Sequence, residues 1–493
     1  MEAKNFSDYL SKIEEVGYVE QIFGSVVYVR GLPRAKPFEV VVLADGGVGE
    51  VLALKRDYVE VLAFSPGSVR IGMKVARTGE TMSMVCGEGL LGRSVNPLGH
   101  PYWDEVLGEG LVERPIDPPL VEMGKRKVVT SAFETGMVLA DLVIPLGRGQ
   151  RELVIGDRKV GKTQFLQQAM LSHAKKGGVC VYAGIARRHS EVESMNLFLE
   201  RQSIKDRVVV VTSLGTDSSG LIYLTPFSAM TVAEFYRDLG WDVLLVLDDL
   251  TIHAKYYREI SLLAKRFPGR GSYPGDVFYR HAKLLERAGN FEKGSITCLP
   301  VAETVFGDMS AYIATNLMSM TDGHILFDHD LYNQGRRPPI NPFLSVTRVG
   351  HQTQSPLLLS LSRELTGFLV GHERMRQLVH FGGEINTLAQ KTLRTGERIY
   401  ALFDQPAETV IPVCLGAVLV ACLWLDLWEK ETISDLRRIF SGFTLLFNED
   451  QVFKARVEKI YTQAQDFPQL IEAVKREREV FLASGDVIMK GKT

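Results

Sequence analysis

The sequence predicts a multidomain protein. A small N-terminal β-barrel is followed by a central α/β domain with a largely parallel sheet and a C-terminal all-α bundle. Three observations predict this. Residues 17–77 alternate short β-branched runs with turn signals. Residues 80–355 alternate apolar strand-like runs with longer helical patterns. From Pro356 onward the strand texture gives way to amphipathic helices. The expected domains are 1–79, 80–355 and 356–493, and a chain of 493 residues is too long for one ordinary domain.

The segment Met1-Glu2-Ala3-Lys4-Asn5 has neither an apolar signal core nor the Arg/Ser-rich character of a transit peptide. The expectation is a chain neither secreted nor imported. The barrel runs are Ser25-Val26-Val27-Tyr28-Val29, Val40-Val41-Val42-Leu43 and Val61-Leu62-Ala63. Gly24, Gly31-Leu32-Pro33, Gly46-Gly47 and Pro66-Gly67 punctuate them. At the other end, residues 450–464 and 467–482 carry helical periodicity. Residues 410–425 are almost continuously apolar. Pro412 and Gly416 interrupt this run, no basic cluster flanks it, and Asp426 and Glu429 follow, so it is read as a helix buried among helices rather than a membrane span.

A 45% hydrophobic and 24% charged composition is that of a globular protein with material for a sizeable core. The net charge of -2 gives no electrostatic argument for nucleic acid, whose binders carry a basic excess. Five cysteines without a CxxC pair or metal-ligand spacing fit reduced thiols in a cytosol-like compartment.

The strongest motif is Gly156-Asp157-Arg158-Lys159-Val160-Gly161-Lys162-Thr163, a full match to G-x-x-x-x-G-K-[ST]. Glu152-Leu153-Val154-Ile155 reads as the buried strand leading in, and residues 164–173 read as the helix leading out. The chemistry needs this arrangement. The glycines let backbone N–H groups curl around phosphate oxygens, and the helix N-terminus adds a favourable partial charge. Lys162 is expected to reach the β and γ phosphates of ATP or ADP, and Thr163 to offer its hydroxyl to Mg²⁺. A second apolar run, Val243-Leu244-Leu245-Val246-Leu247, ends in Asp248-Asp249. Asp248, directly after the strand, is the expected acid for Mg²⁺ or its waters. Together these motifs predict Mg-nucleotide binding, not hydrolysis.

The surroundings of the loop resemble one family over nearly the whole chain. Pro145-Leu146-Gly147-Arg148-Gly149-Gln150-Arg151-Glu152 is similar to the alpha and beta subunits of rotary F-type ATP synthases. Gly156-Asp157-Arg158 favours alpha. So do Pro268-Gly269-Arg270, Tyr273-Pro274-Gly275-Asp276-Val277-Phe278-Tyr279, Leu284-Leu285-Glu286-Arg287-Ala288, Arg337-Pro338-Pro339-Ile340-Asn341 and Leu344-Ser345-Val346-Thr347-Arg348-Val349-Gly350. The resemblance implies a RecA-like P-loop domain between barrel and bundle.

In that family the catalytic beta subunit carries a glutamate just after the strand that follows the loop's helix. Alpha subunits usually have glutamine there. The matching position is Arg187, which cannot act as a base. Losing a general base typically removes about 10²–10⁴ of rate, so binding without turnover is implied. Glu191 and Glu193 lie close downstream and are read as exposed acids at a helix start rather than substitute bases. By resemblance Arg348 matches the arginine finger that alpha lends to the catalytic site of a neighbouring beta. Arg337 and Gln405 are implied helpers in holding the nucleotide.

The implied assembly is an alternating alpha₃beta₃ ring around a gamma shaft, with the loop 268–276 facing the ring's interior. A delta subunit and peripheral stalk are further implied partners, although the segment before the barrel is shorter than usual for alpha. No nucleic acid is implied, and the membrane is met only indirectly. The implied location is the cytoplasmic face of the bacterial inner membrane, or an organelle-encoded equivalent. The chain also departs from the pattern. Lys159-Val160 stands for Gln-Thr, Arg187 for glutamine, Thr347 for serine, and His351-Gln352-Thr353 for small residues. The rival reading is an autonomous homohexameric ATPase, either a secretion-type motor or a Rho-like helicase. It would need the catalytic glutamate that Arg187 replaces, and a helicase would need basic and aromatic enrichment that the barrel lacks. A catalytic beta subunit is opposed by Arg187 and by the alpha-like stretches.

Overall fold

The valine-rich runs at the start of the chain close on themselves in the computed structural model, which describes residues 6–103, 106–119, 121–380 and 387–489. Met1–Asn5, on which the reading of the amino terminus rests, lies outside the described residues. Six antiparallel strands form the barrel: β1 (Val16–Phe23), β2 (Val26–Arg30), β3 (Glu39–Leu43), β4 (Val48–Leu54), β5 (Val59–Ala63) and β6 (Lys74–Thr81). Their order is β1-β2-β5-β4-β3-β6, closed by pairing of β1 with β6. Closure leaves no unpaired edge. Alternate side chains such as Val27, Val29, Val41, Val61 and Val75 fill the interior.

Farther along come β7 (Ser94–Val95), β8 (Glu152–Gly156), α1 (Lys162–Lys175), β9 (Val179–Arg187), α2 (His189–Arg201), β10 (Val208–Leu214), β11 (Asp242–Asp248), β12 (Ser295–Glu303), β13 (Gly323–Phe327) and β14 (Val346–Thr347). The chain divides into two compact units. The first takes residues up to Lys127, Gly177–Glu303 and Met309–Thr321. The second takes Val128–Lys176, Thr304–Asp308 and the chain from Asp322 on.

In the first unit, β12, β11, β9, β10 and β7 run parallel, side by side. Leu244, Val246, Val181 and Val210 on these strands are fully or almost fully buried. Such near-continuous apolar runs are what a parallel sheet covered on both faces requires. In the second unit, β8 pairs in parallel with β13, and β14 adds antiparallel to β13.

The second unit also holds the carboxyl-terminal helices, among them Pro356–His380, Val413–Trp424, Ile433–Glu449 and Phe467–Arg476. Every residue from Leu415 to Leu423 is buried, which is why the run is apolar all round. No described helix is long and apolar enough to cross a membrane. Barrel, parallel sheet and helical bundle are thus the architecture that the sequence predicts.

Candidate functional site

In the second unit, β8 ends at Gly156 and α1 begins at Lys162, so the glycine-rich motif spans a strand-to-helix turn. Gly156 is required by close approach, because a Cβ there would stand 2.4 Å from the Phe327 carbonyl oxygen. Gly161, the residue before α1, has φ +98°, a left-handed value that favours glycine. Asp157 braces the turn. Its carboxylate accepts from the Thr304 hydroxyl and, at 3.0 Å, from the Gly307 N–H. The buried Lys162 folds back over the loop, its Nζ donating to the carbonyls of Gly156 (2.8 Å) and Asp157 (2.6 Å).

Arg158, Lys159 and Thr163 are exposed, whereas Val160 is only 1% exposed. The position that lacks the family's hydroxyl therefore packs inward. Beside the turn lies a cavity of about 540 Å³, lined among others by Lys159, Gly161, Thr163, Tyr332, Arg337 and Gln405. The structure thus brings five of the expected residues to one cavity. Gly156, Asp157, Arg158, Val160 and Lys162 build the turn without lining it.

Arg337 donates from Nη1 to the carbonyls of Tyr332 (2.9 Å) and Arg336 (2.7 Å). Its guanidinium lies 3.8 Å from the Tyr332 ring centroid. This places the tyrosine ring and the guanidinium side by side on the cavity wall. Gln405 is 5% exposed and fully engaged with backbone. Its Nε2 donates to Gly136 O at 2.7 Å and to Thr409 O, and its Oε1 accepts from Val138 N at 3.1 Å. Sequence reasoning missed Tyr332 and Arg437, which also line the cavity. Neither belongs to a motif; the only signal was the neighbouring Arg337-Pro338-Pro339 turn.

Arg348 directly follows β14. Its backbone N–H donates to Asp322 O at 2.9 Å. Asp322 is itself fixed by a two-pronged pair with Arg151 at 2.9 and 3.1 Å. The Arg348 side chain is exposed and makes no hydrogen bond or ion pair among the described residues. Nearby Glu152 is fully buried and accepts from Gln150 Nε2 at 2.6 Å. Burial pushes its carboxyl well above the ordinary range, with Gln150 and Arg348 pulling the other way.

In the first unit, β9 and β11 run side by side with Gly184 opposite Asp248. Against β10, β9 then bulges. Gly184 pairs with Thr212 and Arg187 with Leu214, so one extra residue sits on β9. Ala186, inside the bulge, has φ +51°, and its N–H donates to Ser213 Oγ at 3.1 Å. The bulge re-aims Arg187, whose Nη2 forms an ion pair with Asp248 Oδ1. Tyr182 Oη donates to the other oxygen, Oδ2, at 2.9 Å.

Asp248 is 4% exposed. Burial works against the charge of Arg187, but Tyr182, Asp248, Asp249 and Glu191 outweigh it and raise its pKa further. Burial, with Asp248 adding, pushes the Tyr182 phenol up as well, so it stays a donor. Asp249 accepts from Ile252 N at 2.6 Å, capping the next helix. Glu191 accepts from Arg188 N at 3.0 Å at the start of α2. Its carboxylate is therefore a helix cap, and Glu193 is an exposed residue of the same helix.

Residues 136–347 match the model of the ATP synthase alpha/beta family, nucleotide-binding domain. The chain is 40% identical over 412 residues to an ATP synthase subunit alpha of Caldanaerobacter subterraneus subsp. tengcongensis, covering 82% of this chain and 80% of that one. It is 36% identical over 478 residues to an ATP synthase subunit alpha 2 of Cereibacter sphaeroides, covering 95% of each. With an ATP synthase subunit alpha 2 of Gluconobacter oxydans it shares 37% over 440 residues, 87% of this chain and 86% of the relative. A glycine-rich loop between β8 and α1, a barrel before it, a helical bundle after it and likeness along most of the length converge: the chain belongs to the ATP synthase alpha-subunit family.

Proposed function

We propose that this chain is the nucleotide-holding, non-catalytic alpha subunit in the head of an F-type ATP synthase, and that it assists turnover in a neighbouring beta subunit. One observation carries the non-catalytic part. At the position where a catalytic relative needs a carboxylate base stands Arg187, a permanent cation already committed to Asp248. Arg187 cannot take a proton from an attacking water. The enzyme is the complex, whose turnover is coupled to proton transport.

The assisting part rests on Arg348. An exposed guanidinium without a partner among the described residues, carried on an anchored backbone, is free to meet charge developing on a phosphoryl group outside its own chain. ATP or ADP would be held within the second unit. Backbone N–H groups of the 156–163 turn and Lys162 would take the phosphates, and the cavity beside Tyr332 and Arg337 would take the rest.

The fit to Mg²⁺ is uneven. The exposed Thr163 hydroxyl suits a metal beside bound phosphate. The carboxylate expected to share that metal, Asp248, is instead engaged by Arg187 and Tyr182. Beta neighbours in an alpha₃beta₃ ring, a gamma shaft, a delta subunit with the peripheral stalk, and a place on the cytoplasmic face of the membrane complete the reading.

The test is ATP binding and turnover on the purified chain, alone and then with a cognate beta subunit. Binding alone and turnover only in the mixture is the expected result. Sustained turnover by the chain alone would replace this reading with an autonomous homohexameric motor.

A further inference from the structure

We propose that Gln150, seated on the buried Glu152, is a positioning residue for Arg348: it clamps the turn that carries the guanidinium. The inference rests on the assisting role proposed for Arg348 above. That role needs a side chain free of its own chain on a backbone that stays in place, because a misplacement of about 1 Å can cost about 10²-fold in rate.

The backbone ladder alone secures the turn weakly. The strand β14 is two residues long, and two register pairs, Gly323 with Thr347 and His324 with Val346, join it to β13. Side chains add what the ladder lacks. Glu152 on β8 lies opposite Gly323, and Gly323 lies opposite Thr347, so the three residues form one row across the sheet. A Cβ on Gly323 would stand 2.6 Å from Glu152 Oε2 and 2.7 Å from Oε1. The missing side chain is what leaves room for the Glu152 carboxyl over the middle strand.

Gln150 completes the clamp. It is fully buried. Its Nε2 donates to Glu152 Oε2 at 2.6 Å and to Thr347 Oγ1 at 3.1 Å, and its Oε1 accepts from Gly147 N at 2.7 Å. Both amide hydrogens are used, which fixes the orientation of the group. Thr347 Oγ1 in turn donates to Pro145 O and accepts from Gly350 N, each at 3.0 Å. Thr347, one residue before Arg348, is thus tied to Pro145 and Gln150, and Gly350, two residues after it, is tied to Thr347.

The clamp does this without capturing the guanidinium. Burial favours the neutral form of Glu152. Asp322, beside the turn, is already paired with Arg151. Neither acid offers Arg348 an unmatched negative charge within its own chain.

The test is ATP turnover by the ring reconstituted from the full-length chain and a cognate beta subunit, with ATP binding to the chain alone as control. Gln150→Leu keeps the bulk and removes the amide. It is expected to lower kcat at least about tenfold, with KM and the chain's own ATP affinity within about threefold of wild type. In an Arg348→Ala background, single-turnover rates should show no further loss, since a residue acting through Arg348 has nothing left to position. A loss of the same size in both backgrounds would make Gln150 a packing residue and overturn the inference, as would an unchanged kcat.

Thr347→Val and Thr347→Ser carry the test from the other side of the same hydrogen bond, should Gln150→Leu not fold. Valine keeps the shape without the hydroxyl and should lower kcat as Gln150→Leu does. Serine keeps the hydroxyl and should turn over as the wild type. Equal turnover of these two variants overturns the inference. An Arg348→Ala ring with normal turnover would instead overturn the assisting role of Arg348 itself, a separate and recognisable result.

Discussion

The guanidinium of Arg187, at the end of β9, is ion-paired with the carboxylate of Asp248, at the end of the adjacent β11. A buried carboxylate is costly unless it is paired and hydrogen-bonded. Arg187 and Tyr182 meet that requirement from a single strand. On the function proposed above, the position expected to carry a base is filled by a group that cannot accept a proton.

If the glycine-rich turn holds phosphate, Lys162→Ala should weaken ATP binding by about tenfold to a hundredfold, the loss of one charge-assisted contact. Equilibrium titration against the wild type reads this directly. A circular dichroism spectrum should show that the fold survives, because Lys162 Nζ donates to carbonyls of its own loop, Gly156 O and Asp157 O. Unchanged affinity would mark the loop as vestigial.

Arg348→Ala should leave ATP affinity of the isolated chain unaltered and reduce turnover of the reconstituted ring by about 10³–10⁵. The side chain makes no hydrogen bond or ion pair among the described residues whose loss would disturb its own chain. A ring that turns over normally with this variant would make Arg348 an ordinary surface arginine.

Asp141 offers a pH test of the second unit. It accepts from Thr135 N (2.8 Å), Thr135 Oγ1 (2.7 Å) and Gly136 N (2.9 Å). Burial, helped by Glu134, nonetheless pushes its carboxyl up to about 7 from the ordinary 3.8. A carboxyl whose folded pKa is raised binds its proton more tightly when folded. Its contribution is full below about pH 4 and is lost as pH rises toward about 7. Wild type should therefore lose stability relative to Asp141→Asn across that window. Paired denaturant curves at pH 4.5 and 7.5, values chosen to sit at about its two ends, read the gap. A gap independent of pH would show that the three hydrogen bonds keep the carboxylate ionised.

Much of this was legible in the sequence because periodicity and turn chemistry are local. Val27, Val29, Val41 and Val61 alternate inward around the barrel, as their spacing in β-branched runs predicts. Residues 415–423 are apolar on all sides because helices cover them on all sides. The glycine-rich motif was equally local, and Gly156 and Gly161 serve the two purposes that only glycine serves there. What sequence could not give is long-range. Tyr332 reaches the cavity from a short helix of unremarkable composition. The Arg187–Asp248 pair depends on strand register and on one bulged residue, and neither leaves a pattern in the chain.

Gln405 shows how a residue implied by resemblance acquires a different physical role. Its amide donates to Gly136 O and Thr409 O and accepts from Val138 N, which uses the group from both ends. Little hydrogen-bonding capacity remains for a nucleotide, although the residue lines the cavity. Gln405→Ala should therefore act mainly on stability. It leaves the buried Val138 N–H without its acceptor, a cost on the order of 1–3 kcal/mol, whereas Gly136 O and Thr409 O keep the Gln168 Nε2 donor. The unfolding midpoint should fall, while ATP affinity measured well below that midpoint should stay within about threefold of wild type. Hydrogen exchange should localise the loss, with Val138 N–H exchanging faster because its acceptor is gone. The opposite split, a large drop in affinity with an unmoved midpoint, would return Gln405 to the nucleotide and imply that its amide turns away from the backbone when ligand binds.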